Sequence, residues 1–530
     1  MGRPRRTATG LAATSAFWFV LLALLAVVLG CGEGSKGSPL QSAPYRHSVL
    51  APLAASTGSS RYFVDSRTQR AVLLTGSHTW NNFQDWGLTD PPPAFDYTAY
   101  LNFLQRHGHN FIRLYVWEQA AWFPGTEAKV VIAPLAYQRT GPRNALDGHL
   151  RFDLTRFNTA YFRRLRERVE AAEKRGIYVS VMLFDGWSIE LKGQKLGNPW
   201  RGHPFNRENN INGIDGDIDG DGQGKELHTM MSPAVTALQK TYLRKVVETL
   251  TNLDNVLWEI SNESHSGSVE WQYEMVRTVQ QLESDRGKRH PVGMTSMWPH
   301  GEEGNASLFE SPADWISPHD DAKDPYKDDP PPSTRRNKIV FSDTDHLWGI
   351  GGSPSWVWKS FLRGLNPIFM DPYVTAIRGN LPAWPSPEAD RDASKSSPAP
   401  EWESIRKAMG YTRALADRVE LASMRPIGEL ASTGYCLAAL GKEYLIYLPS
   451  QGGRLRRVIS WVRKGFVGES VEADLSAAQG ALDVEWVDVE RGLILPGDPV
   501  TGGRRLEFRA PFAGDAVLHV RTPVGRIEKQ

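Results

Sequence analysis

The chain has 530 residues, with 61 Lys plus Arg set against 60 Asp plus Glu for a formal net charge of +1. That balance carries no electrostatic footprint for nucleic acid, and the length allows two or three domains, one of them a full barrel. The unusual quantity is 18 Trp, whose placement becomes informative further along.

The N-terminus reads as a targeting segment. Arg3, Arg5 and Arg6 precede the apolar run Phe17 to Leu29, too short to span a bilayer comfortably and right for a signal-peptide core. The run ends Val28-Leu29-Gly30-Cys31, which resembles the bacterial lipoprotein cleavage box; an ordinary secretory signal with an incidental Cys is the plainer alternative. The resemblance implies lipidation at Cys31 and an exported protein, lipid-anchored to the bacterial cell envelope, periplasmic or at the cell surface. Contact with the membrane would then be through the N-terminal lipid alone. Residues 1–31 are assigned as signal peptide and lipobox, and 32–60, rich in Gly, Ser, Ala and Pro, as a flexible tether. Cys436, the one other cysteine, reads as a small buried hydrophobe; the sequence holds neither a disulfide framework nor a cysteine metal cluster.

From residue 61 short apolar strands alternate with amphipathic helices. The strands are Ala71 to Thr75, Asn110 to Trp117, Ile177 to Phe184, Val256 to Ile260, Pro291 to Met297, Trp315 to His319, Lys338 to Asp343 and Pro367 to Met370. Helical spacing appears over Tyr97 to Gln105, Asn158 to Lys174, Thr236 to Leu250, Ser268 to Asp285 and Glu401 to Asp417. Eight strand–helix units predict a (β/α)8 TIM barrel over 61–423. Beyond Met424 short strands between Gly, Pro and Asp turns predict a small antiparallel β-sandwich over 424–522, with a tail at 523–530. The His107-Gly-His109 pair falls at a helix end and reads as solvated loop.

In such a barrel the active site lies at the C-terminal ends of the strands. Those ends carry His78, Arg113, Asp185, Asn262, Glu263, Trp298, His319, Asp343, Asp345 and Asp371, with Trp80, Trp117, Trp187 and Trp348 beside them. Carboxylates can protonate and displace at an acetal carbon, and flat aromatic faces cover pyranose rings. The set points to a carbohydrate substrate, with Glu263, Asp343 and Asp345 as catalytic candidates and the others as substrate-binding ones.

Asn110-Phe-Ile-Arg-Leu114, Asn262-Glu263 after the fourth strand and a carboxylate after the seventh resemble a clan-A glycoside hydrolase barrel. The resemblance implies Glu263 as acid/base, Asn262 as a ligand to the sugar 2-hydroxyl, Arg113 as partner of the nucleophile, and retention of configuration with no cofactor for catalysis. It departs in one place, because the clan has a Glu after the seventh strand where this chain reads Phe341-Ser-Asp-Thr-Asp-His346. Strand alternation sends Asp343 and Asp345 to one side, with Asp345 about 7 Å further out if the strand continues; Asp343 then stands at the depth of the clan's Glu and is favoured. The shorter side chain leaves inversion open. Alternation would also point Asn262 away from the site, so a bulge is required if Asn262 and Glu263 both contact substrate. The tail, with Tyr444-Leu-Ile-Tyr-Leu-Pro449, Val484-Glu-Trp486 and Ala510-Pro-Phe512, resembles the sandwich that in such bacterial proteins is named a collagen-binding domain.

The loop Asp215-Gly-Asp-Ile-Asp-Gly-Asp-Gly-Gln-Gly-Lys-Glu226 places oxygen side chains at positions 1, 3, 5, 7, 9 and 12, with Gly220 at position 6. That spacing is the one an EF-hand loop needs, so Asp215, Asp217, Asp219, Asp221 and Glu226 are candidate ligands of a structural calcium ion; an acidic turn is the plainer alternative. Two other chemistries compete. A metal-dependent amidohydrolase would need a His-x-His after strand one and a His after strand five, which the chain lacks. A surface carbohydrate-binding protein without catalysis would keep the aromatic rim. Oligomeric state is not legible.

Overall fold

The computed structural model describes residues 37–41, 50–55, 61–87, 89–123, 130–192, 197–333, 338–373, 402–450 and 468–523. The signal segment, Cys31 and the final residues 524–530 lie outside them. No helix among the described residues is long and apolar enough to cross a membrane.

Eight parallel strands form the barrel: β1 Gly76–His78, β2 Phe111–Leu114, β3 Tyr178–Asp185, β4 Val256–Asn262, β5 Val292–Thr295, β6 Trp315–Ser317, β7 Ile339–Asp343 and β8 Asn366–Met370. They are hydrogen-bonded in the order β1-β8-β7-β6-β5-β4-β3-β2. The ring nearly closes between β1 and β2. There the Asn110 amide N–H donates to Thr75 O at 3.1 Å, and the Asn110 side chain accepts from the Thr75 N–H at 3.0 Å. A Cβ at Gly76 would stand 2.1 Å from the Phe111 carbonyl oxygen, so only glycine lets the two strands approach this closely.

Helices cover the outside because each carries one apolar stripe. α1 (Tyr97–Arg106) starts at Asp96, whose carboxylate accepts from the Ala99 N–H, and buries Tyr100, Leu101 and Leu104. α2 (Thr159–Glu173) follows Asn158 in the same way. α3 (Pro233–Leu250) pairs a Ser232 cap with proline in the first turn and buries Leu243, Val246, Val247 and Leu250. α4 (Val269–Ser284), α5 (Ala306–Glu310), α6 (Thr344–Leu347), α7 (Pro354–Leu362) and α8 (Glu403–Ala416) complete the ring. Between β6 and β7 no helix occurs among the described residues.

Three expectations are corrected here. Ala71–Val72 is not the first barrel strand; it pairs antiparallel with Phe63–Asp65, which pairs in turn with Leu53–Ala55. This small sheet plugs the barrel floor: Leu53 and Phe63 pack with Phe111, Tyr178, Leu257, Trp315, Ile339 and Ile368 at the strand beginnings. The tether is therefore docked where it is described, since Leu53 lies in that plug and Ser38–Pro39 pairs with Ile494 and Leu493 of the C-terminal sheet. Finally, His109 is not solvated. α8 closes over it, its ring bonding Ser77 Oγ at 3.1 Å and Arg406 O at 3.0 Å.

The C-terminal part consists of β9 Arg425–Pro426, β10 Cys436–Ala439, β11 Glu443–Leu448, β12 Ser470–Asp474, β13 Ala481–Asp488, β14 Leu493–Thr501, β15 Arg505–Arg509 and β16 Ala516–Arg521. Seven strands, counting Ser38–Pro39, make one antiparallel sheet, and β12 pairs with β15 to cover one of its faces. Alternation splits the large sheet between two cores. Tyr444, Ile446, Trp486 and Leu518 pack toward β12 and β15, whereas Leu445, Tyr447, Val487 and Val517 join the barrel's core. Cys436 is buried in the former cluster.

Candidate active site

The site is organised around Arg113, the third residue of β2, whose guanidinium is fully buried. Nε and Nη2 form a two-pronged bond to Glu259, at 2.9 and 2.6 Å. Nη1 donates to Asp343 Oδ2 at 3.0 Å and to Asp345 Oδ2 at 2.9 Å, and Nη2 also donates to Asn262 Oδ1 at 2.6 Å. A buried cation is tolerable only when it is paired and its donors are satisfied. Burial works against the charge, and Glu259 and Asp343 more than compensate, so the guanidinium is held charged more firmly than usual.

Asn262 ends β4 with its amide fully engaged. Its oxygen accepts from Arg113 and from His346 Nε2 at 3.1 Å; its nitrogen donates to Tyr115 Oη at 2.5 Å and to Asp185 Oδ1 at 3.3 Å. Because His346 Nε2 faces an acceptor, the proton sits there and Nδ1 accepts from the Ser317 hydroxyl at 2.6 Å. Burial, then Arg113, holds this imidazole neutral, its pKa well below the ordinary value.

The next residue, Glu263, has φ +46°, a left-handed conformation uncommon outside glycine. This turn does the work that alternation forbids, letting consecutive residues both reach the barrel mouth. A Cβ on Gly186 would fall 2.2 Å from the Glu263 carbonyl oxygen, so glycine is needed for the turn to seat. Trp187 Nε1–H donates to Glu263 Oε2 at 2.5 Å, and Lys192 Nζ donates to the Glu263 carbonyl oxygen. Burial, then the negative charge of Asp345, pushes the Glu263 carboxyl up to about 8 against the bond from Trp187 and the cations Lys192 and Arg113.

The seventh strand does not continue outward as alternation assumed. β7 stops at Asp343, whose carboxylate accepts from the Asp345 N–H at 3.0 Å and caps the one-turn helix α6. Helical rise is about 1.5 Å per residue, so Asp345 is folded back beside Asp343 and both reach one guanidinium nitrogen. The two differ in surroundings. Asp343 is fully buried and takes His78 Nε2 at 3.1 Å on each oxygen. His78 and Arg113 outweigh burial and hold its carboxyl well below the usual range. Asp345 is slightly open to solvent, and burial, helped by Asp343 and opposed by Arg113, raises its carboxyl.

The remaining candidates separate into rim and frame. Trp298 and Trp348 are 40% and 37% exposed, and Trp187 is half-buried over Glu263. Trp80 and Trp117 are buried, Trp117 Nε1 donating to Trp80 O at 2.8 Å and its ring stacking on Trp86. His319 is buried with its ring stacked 3.6 Å from His300, which meets Trp298 edge-on. Asp371, expected as a sugar ligand, is fully buried and held by Arg406 at 2.8 and 2.5 Å. It fastens α8 to the end of β8. Asp185 is buried behind Asn262, and burial raises its carboxyl well above the ordinary value.

Sequence reasoning missed Glu259, Tyr115, Lys192 and the pair Glu118–His228. Glu118 Oε1 accepts from the Asp185 N–H at 3.0 Å and from His228 Nε2 at 3.2 Å. Glu259 carried a signal, because a charged residue in the middle of the buried run Val256–Asn262 must have a buried partner.

In the acidic loop, carboxylate oxygens of Asp217, Asp219 and Asp221 lie within 4.8 Å of one another. Asp217 Oδ1 is buried without a hydrogen-bond partner. Gly220 takes φ +75° at position 6. Asp215 accepts from the Asp217 N–H and Glu226 from the Ile218 N–H, so both ends of the loop fold onto its middle.

A family model described as a domain of unknown function, DUF6298, matches residues 106–298, a stretch holding Arg113, Asp185, the acidic loop, Asn262 and Glu263. No curated protein matches the chain in sequence. Among solved structures it is similar to a protein described as a glycoside hydrolase, at 11% identity and TM-score 0.54, over 90% of this chain and 98% of that one. It is similar also to a glycoside hydrolase family 5 protein from Bacteroides vulgatus, at 13% identity and TM-score 0.54, over 91% and 95% of the two chains. The chain thus has the fold of these glycoside hydrolases, a nearly closed eight-stranded parallel barrel with separate antiparallel sheets.

Proposed function

We propose that this chain is a glycoside hydrolase that cleaves O-glycosidic bonds of a poly- or oligosaccharide with two carboxylates. The observation that carries the reading is the contrast between Glu263 and Asp345. Glu263 is held protonated near neutral pH at the barrel mouth, and Asp345, whose charge contributes to that, is anchored on Arg113. Glu263 is the general acid, giving its proton to the leaving oxygen. Asp345, rather than Asp343, is the second carboxylate. Asp343 spends its oxygens on His78, Arg113 and the Asp345 N–H, whereas Asp345 keeps Oδ1 clear of the Arg113 bond. Retention is the proposed outcome, with Asp345 as nucleophile and Glu263 returning as base for water. Trp187, Trp298 and Trp348 offer the faces for sugar rings.

The test is a panel of plant and microbial glycans with reducing-end detection, followed by NMR of the first-formed anomer. Hydrolysis by the wild-type chain and none by Glu263→Gln supports the reading; binding without product in the wild-type chain overturns it.

Two further parts of the reading rest on sequence. Cys31 carries lipid and holds the protein at the cell envelope, which incorporation of labelled fatty acid into wild type but not into Cys31→Ser would support. The loop from Asp215 to Glu226 takes a structural calcium ion, a reading supported by the convergence of Asp217, Asp219 and Asp221.

A further inference from the structure

Two non-glycine residues beside the site stand in the left-handed region, Glu190 at φ +62° and Glu263 at φ +46°. Such residues persist only where the surroundings over-determine them. One side chain touches both. The Lys192 ammonium is almost fully buried, donates to the Glu263 carbonyl oxygen, and lies 3.7 Å from Glu190 Oε2, an oxygen that has no hydrogen-bond partner. The Glu190 N–H in turn donates to Gln223 O at 2.8 Å, tying this corner to the acidic loop.

A buried ammonium is costly unless it is partnered, and here its partners are the Glu263 carbonyl oxygen and the Glu190 carboxylate. Its position matters to the carboxyl on the same residue whose carbonyl it holds. We propose that Lys192 is a positioning residue for Glu263, clamping the left-handed turn by its carbonyl and setting a buried ammonium beside the residue. The inference deepens the hydrolase reading and rests on it for the word acid; the clamp itself does not.

The charged and titratable groups facing this pair are few. Asp345 from α6 raises the Glu263 carboxyl, whereas Arg113 from β2 and the Trp187 indole lower it. Burial raises the phenol of Tyr115, following β2, and the carboxyl of Asp185, ending β3, and it lowers the Lys192 ammonium itself to about 8 against the pull of Glu190 and Glu263. Burial lowers the imidazoles of His228 and His265, which both feel the Lys192 charge. Glu190 is the counter-ion of Lys192. The ammonium therefore stands as the movable charge: without it, Glu263 has a carboxylate neighbour and one remaining cation, already shared among Glu259, Asp343 and Asp345.

The experiment is a pH titration of Trp187 fluorescence in the full chain, read as the difference between each protein and its Glu263→Gln counterpart, since a protonated carboxyl quenches the indole bonded to it. No substrate is needed. The wild-type transition is expected near pH 8, where burial and Asp345 place Glu263. Lys192→Met should move it up by about one pH unit, the size of one lost close charge. Lys192→Arg should bring it back. On any glycan the wild type cleaves, the basic limb of kcat should follow the same order with KM unchanged. An unmoved transition in Lys192→Met overturns the proposal; where that variant does not fold, an unmoved transition in Lys192→Gln does so. Shifts in the stated order from a chain that cleaves no glycan would keep the clamp and remove the hydrolase reading.

Discussion

A buried acid held protonated makes a stability prediction that needs no substrate. With its pKa raised to about 8 in the fold against 4.5 when exposed, Glu263 binds its proton more tightly folded than unfolded. Between those values the native state carries more protons than the unfolded one, so stability falls as pH rises and the loss is complete above the folded value. At about 1.36 kcal/mol per pH unit, the full penalty is on the order of 5 kcal/mol. Glu263→Gln removes the titration and keeps the shape and the bond from Trp187 Nε1. Well below pH 4 the two proteins should melt together, because both side chains are neutral in the folded and the unfolded state. At pH 9 the variant should melt higher, by roughly 5 °C for a barrel of this size. The assay is differential scanning calorimetry at several pH values. A variant that is equally or less stable at pH 9 would refute the claim that burial and Asp345 hold the proton on Glu263.

Other outcomes follow from the same contacts. Asp345→Asn should abolish glycan cleavage, by a factor on the order of 10⁴ or more, and should lower the pH at which Trp187 fluorescence reports Glu263, since a negative neighbour is gone. Asp343→Asn should instead cost stability, about 3 kcal/mol in a urea melt, because it leaves Arg113 and His78 short of a buried partner. Arg113→Lys should lose both functions together, as an ammonium cannot replace five bonds made from three nitrogens. Calcium at millimolar concentration should raise the melting temperature of the wild type and leave Asp217→Asn/Asp219→Asn unchanged; equal melts with calcium and with chelator would reduce the loop to a turn.

What the sequence made legible was governed by period. Buried strands and one-stripe helices write themselves as apolar runs and helical spacing, so the barrel, most of its strands and Glu263 just past β4 could be read directly. Two-residue strands write almost nothing. Ala71–Val72 is apolar because it lines the floor plug, and its pattern cannot be distinguished from that of a short barrel strand. The pairing within the polar frame behind the site was illegible for a different reason, since Arg113, Glu259, Lys192 and His346 come from four separate segments and meet their partners only when the ring closes.

The relation between Asp343 and Asp345 shows the limit most sharply. Alternation along a strand is a rule about residues that stay in the strand, and nothing in Phe341-Ser-Asp-Thr-Asp-His346 announces that it stops at the first Asp. Yet the reason it stops is local and chemical. An Asp in extended conformation, at φ −106° and ψ 127°, is a good cap, and here its carboxylate takes the N–H of the second residue on. Capping turns the backbone inward, and that turn converts two carboxylates spaced along a line into a pair sharing Arg113. The cap makes the inner one a structural anion, saturated and strongly acidic, and leaves the outer one with Oδ1 clear of the Arg113 bond. The second Asp after the seventh strand thus comes to Arg113 by a fold of the chain and not by the length of a side chain.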